Sequence, residues 1–148
     1  MTAQTLADAL ARLPHGPEFR FLDRLVSLDP GKSGVGEYTV RIDAPFLRGH
    51  FPGDPLMPGV LLVEAAAQLA GVVAQSDPAI PPLASLKLAA LRSVKILGTA
   101  RPGETLRVEV VIAGRLGNLI QAEGQVFVAG GLVLNAGLTL VGAPGTTA

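Results

Sequence analysis

"GHFPGDPLMPGVLLVEAAAQLAG", Gly49 to Gly71, is the stretch on which the reading of this chain turns. Its first part, "HFPGDPLMPG", carries three prolines and three glycine or aspartate positions, which rules out regular structure and predicts a stiff loop. From Gly59 to about Ala74 only Gly71 interrupts a run of good helix formers. That run is apolar on every side, the pattern of a helix buried all round. One carboxylate, Glu64, is the only charge between Asp54 and Asp77, and it lies soon after a loop holding one of two histidines. A carboxylate in apolar surroundings is costly and therefore draws a search for its use.

Outward from the helix, the chain reads as strands. "FRFLDRLVSLD" suggests one, closed by the turn "PGKSG". "GEYTVRID" alternates, with Tyr38, Val40 and Ile42 on one face. Beyond the breaker "SDPAIPP" the rest is strand-like. Leu106, Val108, Val110 and Ile112 share a face, as do Ile120, Ala122, Val126 and Val128, and then Leu132, Leu134, Leu138 and Leu140. "GRLGN" and "AGG" supply hairpin turns. The expected fold is α+β, an antiparallel sheet wrapped around one long central helix, in a single domain over residues 1–148.

Composition narrows the function classes. Twelve basic and twelve acidic residues balance without a run of like charge, so no footprint for nucleic acid or an anionic membrane is expected. Cysteine is absent and there are two histidines, which points away from thiolate and metal chemistry; no cofactor is expected. Charged residues make up 16% and apolar ones 49%, and mean hydropathy is +0.45, values that suggest surface hidden in an oligomer. "MTAQTLADALARLPHG" reads as a short amphipathic helix rather than a signal peptide, and Val60 to Ala74 is short for a membrane span. A cytoplasmic protein is the default.

The chemistry concentrates in the opening stretch. A helix N-terminus presents unpaired amides and partial positive charge, so the amides of Gly59 and Val60 suit an oxygen that gains negative charge. His50 suits a general base. Glu64 lies roughly 7.5 Å further along the axis, where aliphatic neighbours favour a neutral carboxyl able to donate a proton. Gln68, four residues on, shares its face and can orient it. Gly59 also fits a turn that demands glycine. His15, in "LPHG", is expected to cap or pack against the first helix, outside the site, and Asp54 to be a solvated turn residue or loop cap. Base, acid and oxyanion hole together suit elimination of water from a beta-hydroxyacyl thioester.

"GHFPGDPLMPGVLLVEAAAQ" resembles the signature of the FabZ-type beta-hydroxyacyl-acyl carrier protein dehydratases, and "LPH", "FLDR" and "LDPGK" extend the likeness upstream. The resemblance implies a hot-dog fold and a catalytic pair at His50 and Glu64. It further implies a thioester-polarising glycine at Gly59 and substrate contacts from Val60, Gln68 and Phe51. The implied partners are an acyl carrier protein and further copies of the chain, as a homodimer or trimer of dimers with active sites at the dimer interface. Such enzymes act in fatty acid or related acyl biosynthesis. The second half departs: "ILGTARPGE" keeps Pro102 and Gly103 but lacks the phenylalanine and paired basic residues of the family's "FRRPVxPGD", and "LASLKLAAL" lacks the aromatic gate. A docking surface for an acidic carrier would then draw on some of Arg92, Lys95, Arg101 and Arg107. The alternatives are a hot-dog acyl thioesterase, which needs no histidine base, and a non-catalytic acyl-binding subunit.

Overall fold

The computed structural model describes residues 2–49, 51 and 53–144. Helix α1 (Ala3–Ala11) opens on Thr2, whose hydroxyl accepts a bond from the Thr5 amide. A single 3₁₀ turn, Pro17–Phe19, then leads to strands β1 (Arg24–Asp29) and β2 (Ser33–Thr39). Helix α2 (Gly59–Ala74) follows the proline-rich loop, and β3 (Leu83–Ile96), β4 (Thr105–Leu116), β5 (Leu119–Val128) and β6 (Gly131–Pro144) complete the chain. The six strands form one antiparallel sheet in the order β1-β2-β4-β5-β6-β3. Among the described residues, no helix is long and apolar enough to cross a membrane.

The sheet curls around α2, eleven of whose residues are buried. Ala65, Ala66 and Ala70 let the helix backbone sit close to the strands. Glycines on the strands do the same: a Cβ on Gly34 would lie 2.8 Å from Val73 Cγ2, and one on Gly124 2.9 Å from Ala66 Cβ. The alternating faces of β4 and β5 meet the helix as expected, through fully buried Leu106, Val108, Ile120, Ala122 and Val126.

Three expectations are corrected. β1 begins at Arg24 rather than Phe19, because Phe21 and Leu22 reach the core from irregular chain after the 3₁₀ turn. β2 ends at Thr39, so Ile42 falls outside the strand and is 83% exposed, while Tyr38 and Val40 are buried. Helix α2 is not sheathed all round by its own chain: Val60 is 70% exposed, and Glu64 and Gly71, at helical spacing from it, are only partly covered.

Candidate active site

The loop before α2 is pinned at two points in its C-terminal half. The Met57 amide donates to Ala100 O at 2.9 Å in an isolated β-bridge, and Asp54 pairs with Arg101, whose own amide donates to Glu104. Asp54 is thus a tie between loop and strand connection rather than a purely solvated turn residue. Phe51 takes a left-handed backbone, φ +62°, which costs a residue with a side chain on the order of 1–3 kcal/mol and tends to occur where geometry matters. His50 lies outside the described residues. Pro58 stands at the N-cap and offers no side-chain acceptor to the first-turn amides of Gly59 and Val60. Gly59 has no positive φ; the space its Cβ would take is filled by Ile96, whose Cδ1 would lie 2.8 Å away.

Two turns into the helix, Glu64 is held by its neighbour. Gln68 Nε2 donates to Glu64 Oε2 at 3.1 Å and to Phe19 O at 2.8 Å, while Gln68 Oε1 accepts the Phe21 amide at 2.9 Å. At 2% exposure Gln68 is part of the core, so it both packs the helix and orients the carboxyl. The Glu64 side chain is 23% exposed and opens on a cleft of about 890 Å³. Leu13, Pro14, Val72, Leu83, Leu86 and Leu88 give that cleft an apolar lining, and Glu64 and Gln68 lie in its wall.

His15 lies in the same wall, contrary to the expectation that it stands apart. Its Nε2 approaches Glu64 Oε2 at 3.6 Å. Arg20 folds the preceding loop into place by donating to the carbonyls of Leu13 and His15, and Phe19 stacks on the imidazole at 6.2 Å. The signal in the sequence was the "LPH" upstream of "FLDR"; what it lacked was the Arg20 fold-back, a contact no local periodicity announces. The structure therefore gathers His15, Glu64 and Gln68, while Gly59, Val60 and Phe51 belong to the N-terminal end of α2 and lie outside the cleft lining.

The four basic residues expected to dock a carrier are largely neutralised. Arg92 pairs with Glu123, Arg101 with Asp54 and Arg107 with Glu109. The first pair forms because both residues flank Gly137 across β6, and the missing side chain lets Arg92 reach over. Among the described residues Lys95 is the member of the four without a carboxylate partner.

A curled antiparallel sheet around one helix defines a hot-dog protein, here with a carboxyl group opening on an apolar cleft. Residues 13–137 match the FabA-like domain family. The chain is 37% identical over 149 aligned residues to a 3-hydroxyacyl-[acyl-carrier-protein] dehydratase FabZ of Syntrophotalea carbinolica, covering 97% of each, and 41% identical to that of Geotalea uraniireducens, covering 85% and 88%. In structure it is similar to the dehydratase heterocomplex ApeI:P of Xenorhabdus doucetiae, with a TM-score of 0.76 at 19% identity over 93% of this chain and 90% of that one. A hypothetical thioesterase of Streptococcus pneumoniae shares the fold at a TM-score of 0.63 and 13% identity, over 83% and 87%. The chain belongs to the FabA-like family, among the FabZ-type dehydratases.

Proposed function

We propose that His50 and Glu64 carry the dehydration of a 3-hydroxyacyl thioester to its trans-2-enoyl thioester, with the acyl group delivered on an acyl carrier protein. The observation that supports this most is Glu64, fixed by Gln68 at the wall of an apolar cleft. The amides of Gly59 and Val60 receive the thioester oxygen as charge develops on it. His50 removes a proton from the carbon beside the carbonyl, and Glu64 protonates the departing hydroxyl, which leaves as water. Phe51 and Val60 line the approach. The protein is a hydro-lyase, and the compartment that suits a carrier-bound substrate is the cytoplasm.

A second copy of the chain completes this site. The candidate residues fall into two groups on the protomer, and the open stripe of α2 needs a cover. β3 is a fourteen-residue edge strand on which Leu91 and Ile96 are exposed, as is Leu97 just after it. Pairing of β3 with its symmetry mate would bury these side chains and bring the loop of one protomer toward Glu64 of the other. Purified protein incubated with a 3-hydroxyacyl carrier thioester should generate enoyl absorbance. His50→Ala should lower the rate by about a hundredfold or more with the fold intact. Release of free thiol without enoyl product would mean hydrolysis instead, and neither signal would leave an acyl-binding subunit.

A further inference from the structure

His15 has no part in the reaction as written above, yet it stands 3.6 Å from the carboxyl that has the central one. The orientation of Gln68 is settled by its partners: Oε1 accepts the Phe21 amide, so both Nε2 hydrogens are committed, one to Phe19 O and one to Glu64 Oε2. Oε2 is therefore an acceptor, and it is the same oxygen that faces His15 Nε2. The other imidazole nitrogen supplies an independent observation. Among the described residues, His15 Nδ1 is a buried nitrogen without a hydrogen-bond partner. With its hydrogen on Nδ1, the ring would bury an unpaired N–H and turn a lone pair against the lone pairs of Oε2. With its hydrogen on Nε2, it turns a donor toward Glu64. Contacts of this length tighten when the reacting group is seated.

We infer that His15 is a positioning residue for Glu64. With Gln68 it holds Oε2 as the accepting oxygen, which reserves Oε1 to carry the proton given to the leaving hydroxyl. Arg20 and Phe19 keep the ring at its post. This rests on the reading of Glu64 as the proton donor.

The chain has two histidines, so protein with ¹⁵N-labelled imidazoles shows two rings, and His50→Asn assigns them. His15 is expected to carry its hydrogen on Nε2 and to shift when Glu64→Gln is introduced. His15→Phe keeps the ring and its stacking but removes the donor; kcat should fall about tenfold, with KM within about twofold. His15→Gln, which returns an amide donor near the Nε2 position, should recover most of that loss. In a Glu64→Gln background His15→Phe should cost little more. A hydrogen on Nδ1, no response to Glu64→Gln, equal losses for Phe and Gln, or a loss confined to KM would each overturn the inference. Should the parent protein not dehydrate its substrate, the site reading fails, while the imidazole spectra still decide whether His15 donates to Glu64. They also decide if His15→Phe does not fold.

Discussion

Every hydrogen-bonding hydrogen of the Gln68 amide is engaged, and two of its three partners are backbone groups nearly fifty residues away in sequence. Gln68→Leu would keep the packing volume but leave the buried Phe21 amide and the partly buried Phe19 carbonyl without partners. Each such group costs about 1–3 kcal/mol, so unfolding in denaturant should show a loss of about 2–6 kcal/mol. A loss below about 0.5 kcal/mol would mean that water replaces the clamp without penalty. At this scale the Glu64 and Gln68 pair was legible from its four-residue spacing alone, because the geometry of a helix is local. His15 was not, since its place depends on Arg20 bonding back across the loop. Nor was the reason for Gly59: a sequence shows that a side chain is missing, not which distant one, here Ile96, fills the space.

The hairpin between β5 and β6 turns on Ala129 and Gly130, both with positive φ, 51° and 82°. Glycine adopts this conformation freely and asparagine tolerates it, whereas alanine is strained there. Ala129→Asn should therefore stabilise the protein by about 0.5–1 kcal/mol, read as a higher midpoint of thermal unfolding with unchanged activity. A lower midpoint would show that the Ala129 methyl makes a contact worth more than the strain. The same hairpin was visible in "AGG", and the faces of β4 and β5 in their alternation, because both signals arise within a few residues. β2 was read three residues short at its start. Ser33 and Gly34 look like the tail of a turn, but Gly34 is strand because only glycine lets β2 approach Val73. In β3 alternation is broken by register shifts after Ala84, Leu88 and Arg92, with Ser85 and Ser93 at positive φ, so its two faces could not be read from sequence.

For the assembled molecule, the proposed sharing of each site between two chains has a test of its own. His50→Ala and Glu64→Ala proteins, each inactive, can be unfolded together and refolded as a mixture. About half of the dimers would be mixed, each with one doubly damaged site and one intact site, so roughly a quarter of parental activity should return. Mixed dimers demonstrated by native mass spectrometry without any recovery would place both residues of a working site in one chain. The strand order has a further consequence, for a chain still leaving the ribosome. β3 emerges directly after α2, but its hydrogen-bonding partner in the sheet is β6, the last of the six strands. Ile96 waits for Leu134, and Leu83 for Pro144. Throughout that interval an apolar strand stands without a mate, the kind of unpaired edge that chaperones shield in nascent chains.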